Sequence, residues 1–179
     1  VCPDRARGLR RRANIVCRKF GFGHIRHEPG AGSSGNAQFA GIDVCSLLSA
    51  SQVAVLLGQP VSGSGVPGVN ANGSPGATLR WCDYSGKSLE VDIVTSGGAY
   101  TPVQWAHQQA GNFPRAGALE QSVGSYAAFS ADLGQTVAAK GWPGVEISYP
   151  TGLPAAVPKA NLETREATDI EAIWQKVGL

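Results

Sequence analysis

The stretch Thr78-Leu79-Arg80-Trp81-Cys82-Asp83-Tyr84-Ser85-Gly86-Lys87-Ser88-Leu89-Glu90-Val91-Asp92-Ile93-Val94-Thr95 decides the fold. In its second half Leu89, Val91 and Ile93 alternate with Glu90 and Asp92, the period of two that marks a strand with one apolar side. Ser85, Gly86, Lys87 and Ser88 are turn formers, so 78–84 and 89–95 are expected to pair as a hairpin. The alternation predicts one buried face and one wet face. Asp83, Glu90 and Asp92 fall on the wet face, where solubility accounts for them, although paired carboxylates also suit acid–base chemistry.

Upstream, Ser49 and Gln52 have the spacing of a capping box, and Leu48 is placed to staple onto Val53, which predicts a helix over 50–57. Val53, Leu56 and Leu57 share one face of it, and Gly58 supplies the stop. Residues 58–77 are rich in Gly and Pro, which neither a helix nor a central strand accommodates, so they read as a long surface loop. Downstream, Thr101, Pro102 and Gln104 repeat the helix-start pattern and predict a second helix over 102–110, ended by Gly111. Three extended segments follow the loop 112–122, at 126–130, 135–140 and 145–149, the last alternating Val145, Ile147 and Tyr149 with Glu146 and Ser148. Residues 151–158 are too Pro-rich for regular structure, and they lead to a final helix that starts between Asn161 and Thr168. Its stripe of Ile170, Ile173, Trp174 and Val177 belongs across the sheet. This order predicts an α+β domain, with an antiparallel sheet of about five strands and three helices packed mainly on one face.

The domain is expected to span 41–179, after a basic, flexible arm and linker over 1–40. Residues 1–30 hold eight Lys or Arg against two acids, while the remainder is mildly acidic. Such an arm attracts phosphates, but the body has no basic stripe with interleaved aromatics, so nucleic acid is not an expected partner. No stretch approaches the ~20 apolar residues of a membrane span. The basic start would suit a signal peptide, yet the apolar segment is missing, and Ile15 and Val16 precede Cys17 where a lipid-attachment site needs small residues. A leader and lipobox are therefore expected to be absent from this chain.

Of four cysteines, only Cys45 and Cys82 lie in the patterned region. A bridge between them would close the Gly/Pro-rich segment into a loop and argue for an oxidising compartment. The alternative is two buried free thiols, since Cys is among the most buried residue types.

The segment Asp43-Val44-Cys45-Ser46-Leu47-Leu48-Ser49-Ala50-Ser51-Gln52-Val53-Ala54-Val55-Leu56-Leu57-Gly58 resembles the opening of an actinobacterial family of secreted lipoproteins of unknown function. Arg80-Trp81-Cys82-Asp83-Tyr84, Val123-Gly124-Ser125-Tyr126-Ala127-Ala128 and a closing helix extend the resemblance over roughly residues 41–177. It implies an extracytoplasmic, cell-envelope protein with a Cys45–Cys82 disulfide, and it brings no catalytic residues.

Motifs for chemistry are sparse. Gly63-Ser64-Gly65-Val66-Pro67-Gly68 has the Gly-x-Gly-x-x-Gly spacing, but it follows a helix and enters a Pro-rich loop, the wrong context for a dinucleotide. There is no Gly-x-Ser-x-Gly elbow, and His107 is the domain's one histidine, which leaves a Cys82–His107 dyad as the conceivable nucleophile pair. Cys2, Cys17, His24 and His27 are zinc-binding types at a spacing that fits no common finger. The expectation is therefore no catalytic residues, no metal and no cofactor. The chain reads as a non-catalytic binding module for an envelope protein, glycan or lipid, with a hydrolase or transferase built from dispersed acids as the alternative. The loop 58–77 and Trp81, Tyr84, Tyr100, Trp105 and Trp142 are groove candidates. Trp105, Trp142 and Tyr100 are the surface residues expected to bind, while Trp81 and Trp174 read as core.

Overall fold

The computed structural model describes residues 39, 41–61, 63–72, 77–98, 100–113, 117–118 and 123–179 of the 179-residue chain. They lie within one compact unit, Ser33–Leu179. The expectations for the basic arm, its linker and the Cys2, Cys17, His24 and His27 set fall outside the described residues.

A short 3-10 turn, Val44–Ser46, leads into α1 (Ala50–Leu57). Ser49 caps this helix as a full capping box with Gln52, and Gly58 ends it at φ 67°, a left-handed conformation that costs glycine little. Strands β1 (Val66–Asn72), β2 (Ala77–Tyr84) and β3 (Leu89–Gly97) form an antiparallel meander. Then come α2 (Pro102–Ala110), with its own Thr101/Gln104 capping box, and the two-residue β4 (Gly117–Ala118). Strands β5 (Tyr126–Ser130), β6 (Gln135–Ala139) and β7 (Gly144–Ser148) precede α3 (Leu162–Lys176). All seven strands join one antiparallel sheet in the order β1-β2-β3-β7-β6-β5-β4.

The α+β class, the three helices, the antiparallel sheet and the Cys45–Cys82 disulfide are all present. The strand count differs: seven among the described residues rather than about five. The larger of the two additions, β1, lies inside the segment read as loop. The edge of the sheet explains it, because an edge strand tolerates Pro67 near its start and Gly68 within it, where a central strand would not. Gly68 is required there: a Cβ on it would come within 2.1 Å of the Trp81 indole, which lies across that position from β2.

Two helices cover one face of the sheet. Val53, Leu56 and Leu57 of α1, and Ile170, Ile173 and Trp174 of α3, pack on Leu89, Val91, Ile93, Val145 and Ile147 to make the main core. Gln52 links the two helices, donating from Nε2 to Asp169 Oδ1 at 2.6 Å while its Oε1 accepts from the Ser49 amide. Within this core sits a carboxyl: Glu166 is fully buried and accepts a hydrogen bond from the Thr136 hydroxyl on β6. Burial raises its pKa well above the ordinary range, opposed by the hydrogen bonds from Thr136 and Tyr149.

The opposite face is not simply wet, a correction to the hairpin's alternation. Helix α2 lies on half of it, with Trp105, Ala106 and Ala110 packed against Val94, Ala128, Val137 and Ala139. Trp105, expected at the surface, is 4% exposed. Its ring occupies the space over Gly144, where a Cβ would meet Cζ3 at 2.4 Å. The sheet's second face thus receives α2 because a glycine on β7 leaves room for an indole.

Candidate functional site

Strand register determines what the half of the second face beyond α2 carries. Three successive rungs run across β2, β3 and β7. The first, Leu79–Val94–Gly144, is apolar and lies at the Trp105 end. The second is Trp81–Asp92–Glu146, continued onto β6 by Val137, and the third is Asp83–Glu90–Ser148. The face changes from apolar to acidic between one rung and the next. Residues opposite each other on neighbouring antiparallel strands hold their Cβ atoms about 5 Å apart, so four carboxyl groups converge within a few side-chain lengths.

These groups lie close enough to act on one another. The Glu90 carboxyl is within side-chain hydrogen-bonding reach of Asp83 and of Asp92. Glu146 accepts from Gln135 Nε2 at 2.6 Å. Asp92 is only 7% exposed, and its Oδ1, like Asp83 Oδ1, is buried without a hydrogen-bond partner. Burial, followed by the side-chain hydrogen bond with Asp83 and the charges of Asp83 and Glu146, pushes Glu90 up to about 7, against the pull of Lys87 in the β2–β3 turn. Burial pushes Glu146 up to about 7, opposed by the Gln135 hydrogen bond. Asp92 is raised well above the carboxylate range by burial and by the charges of Glu146, Glu90 and Asp83.

A carboxyl whose pKa is higher folded than unfolded holds its proton more tightly in the fold. Its contribution is fully present below the unfolded value of about 4 and is lost as pH rises through about 7. The protein is therefore expected to melt at a higher temperature at pH 5 than at pH 8. With Glu90 discounted for solvent screening, the difference from this cluster is on the order of 2 kcal/mol. Asp92→Asn combined with Glu146→Gln should flatten that slope and raise the melting temperature at pH 8, as followed by circular dichroism across the pH range. A slope unchanged in the double variant would assign the effect to other groups, such as Glu166.

The residues expected at a binding surface are dispersed. Tyr100 is 38% exposed, Trp142 is half-buried against the second core and Trp105 is inside it. His107 is exposed on α2 and stacks on Tyr126, ring centroids 3.7 Å apart. Cys82 is fully buried and bonded to Cys45, which leaves no thiol for a dyad with His107. The Gly63–Gly68 spacing runs into β1 rather than a helix, so it offers no phosphate a helix N-terminus. Among the described residues no group of three or more His, Cys, Asp or Glu is disposed to hold a metal ion, and no helix is long and apolar enough to cross a membrane. Glu146 is the member of the acidic cluster that the hairpin alone does not reveal. Its alternation with Val145 and Ile147 put it on a polar face, and only the β3–β7 pairing puts that face beside Asp92. No protein-family model, curated protein sequence or solved structure matches the chain.

Proposed function

We propose that this protein is an exported, non-catalytic binding module of the cell envelope that takes a cationic protein partner on the acidic half of its sheet. One observation carries the reading: Asp92 is nine-tenths buried, has an unpartnered Oδ1, and stands between Trp81 and Glu146 with Glu90 and Asp83 beside it. Like charges facing each other across strands destabilise a sheet, so the cluster opposes folding, and a binding role accounts for its presence. Lys or Arg side chains of a partner would be drawn by the charge of the buried Asp92 and would pair with the half-buried carboxyls of Asp83 and Glu90 by charge-assisted hydrogen bonds, with Trp81 offering an aromatic face at the cluster's edge. Nucleic acid and anionic lipid would be repelled. The Cys45–Cys82 disulfide supports an oxidising compartment, and the resemblance of residues 43–58 to secreted actinobacterial lipoproteins points the same way.

A second reading has its own observation. Glu90 and Glu146 are both raised to about 7, the range in which a carboxyl serves as general acid or base at neutral pH, so an enzyme built on these acids is the alternative.

Octalysine titrated calorimetrically into the full, oxidised chain separates the two readings. Saturable binding is expected, weakening as salt is added and lost in Asp92→Asn with Glu146→Gln. Absence of binding, or binding indifferent to both substitutions, would overturn the module. Hydrolysis of a glycoside or ester panel that disappears in Glu90→Gln or Glu146→Gln would put the enzyme in its place.

A further inference from the structure

A cavity of about 320 Å³ lies beside the disulfide, on the other side of β2 from the acidic rungs. It is bounded by the 3-10 turn, the first turn of α1, Val61 and Gly63 to Gly65 ahead of β1, and Tyr84 of β2. Glycine makes its outer wall possible. A Cβ on Gly65 would stand 2.1 Å from Cys82 Sγ and 2.9 Å from the Tyr84 ring, so backbone alone fits over the disulfide at that point. The volume is at the lower end for small-molecule sites, with room for about ten water-sized groups.

The lining divides by chemistry. Leu48, Val53 and Val61 with the Tyr84 ring give an apolar wall, and Asp43 stands exposed among the lining residues. Asp43 spends one oxygen on the Cys45 amide, with Oδ1 accepting at 3.1 Å. Tyr84, whose hydroxyl donates to the Cys45 carbonyl at 3.3 Å, is pushed up to about 12 by burial and then by the charge of Asp43. Among the described residues no cation lines the cavity. Lys176, which reaches the adjoining turn, is committed to the carbonyls of Leu47 at 2.6 Å and Ser46 at 3.3 Å.

We propose that this cavity is a binding site for a small amphipathic amine, with its apolar body against Leu48, Val53, Val61 and Tyr84 and its ammonium group on Asp43. The site is separate from the acidic sheet face and does not depend on the function proposed for that face. An anionic or neutral amphiphile of the same length lacks the ion pair, and an anionic one is repelled by Asp43. The head group therefore sets the selectivity and the apolar wall sets the length.

Hexylamine, hexanol and hexanoate, titrated into the ¹⁵N-labelled, oxidised full chain, test the proposal by amide shifts. Hexylamine is expected to give saturable shifts at Cys45, Gly63 and Gly65, with hexanol weaker and hexanoate inert. Asp43→Asn keeps an acceptor for the Cys45 amide while removing the charge, and should weaken hexylamine roughly fivefold, the range of a partly exposed ion pair. Ala50→Trp, at an exposed position lining the cavity, should fill the space and abolish the shifts. Val61→Phe fills it from the opposite wall should the first variant disturb α1. Hexanoate binding as well as hexylamine, hexylamine shifts confined to β3 and β7, or hexylamine binding undiminished in both filling variants would each overturn the assignment. Octalysine binding should survive Ala50→Trp unchanged, so loss of one site is distinguishable from loss of the other.

Discussion

Replacing the disulfide, as Cys45→Ala with Cys82→Ala, is expected to cost about 4 kcal/mol of stability, the chain-entropy value for a closed loop of this size. The bridge joins residues 37 apart and ties the 3-10 turn to β2 with Cα atoms 5.1 Å apart. The closed loop contains α1 and the whole of β1. An edge strand holding Pro67 and Gly68 gains little from its own propensities, so cutting the tie loosens the strand most dependent on it. For a domain of this length the loss corresponds to a fall in melting temperature of roughly 8–16 °C. Calorimetry of the oxidised wild type, the reduced wild type and the double variant measures it. The latter two should melt together, and reductant should leave the variant unchanged. A fall below about 1 kcal/mol would mean that packing around Cys82 and Tyr84 holds β2 to the turn unaided, and the disulfide would lose its weight as an argument for export.

Trp174→Ala is expected to cost about 3–5 kcal/mol, the range for truncating a fully buried indole. Trp174 has no exposed surface, and its Nε1 donates to the Pro143 carbonyl at 3.1 Å, joining α3 to the segment that enters β7. Its ring fills the space above Gly124, where a Cβ would stand 2.7 Å from Cη2. Trp174→Phe separates the two contributions. It keeps most of the apolar contact but leaves the Pro143 carbonyl unpaired, which should cost about 1–3 kcal/mol. Urea denaturation followed by circular dichroism gives both values, with an unchanged slope showing that the unfolded state is the same. Because Trp174 packs on the face opposite the acidic rungs, the folded fraction of either variant should bind octalysine as the wild type does. An Ala variant as stable as Phe would show that the neighbouring side chains collapse into the space.

Features whose causes lie within a few residues were legible in the chain. Ser49 with Gln52, and Thr101 with Pro102 and Gln104, locate two helix starts because a cap is satisfied by its own first turn. The hairpin around Ser85–Ser88 and the stripe of Ile170, Ile173 and Trp174 are equally local. β1 was not, since Pro67 and Gly68 argue against a strand until the strand is known to be at the edge. Trp105 reads as a surface residue because it lies off the main apolar faces of the sequence. Its burial depends on Gly144, far along the chain.

The candidate site follows the same division. Asp83, Glu90 and Asp92 belong to one hairpin, and their common side is read directly from a period of two. That Glu146 joins them, that Asp92 loses its water and that α2 stops one rung short are consequences of β3 pairing with β7 and of where Trp105 lands. Sequence by itself determined the helices, the hairpin and the α+β class, because capping, turn formation and periodicity are local interactions. Tertiary structure alone decided which polar side chains share a face and which are desolvated, because register between distant strands is set by packing the whole core, and the energy of a carboxyl depends on what surrounds it.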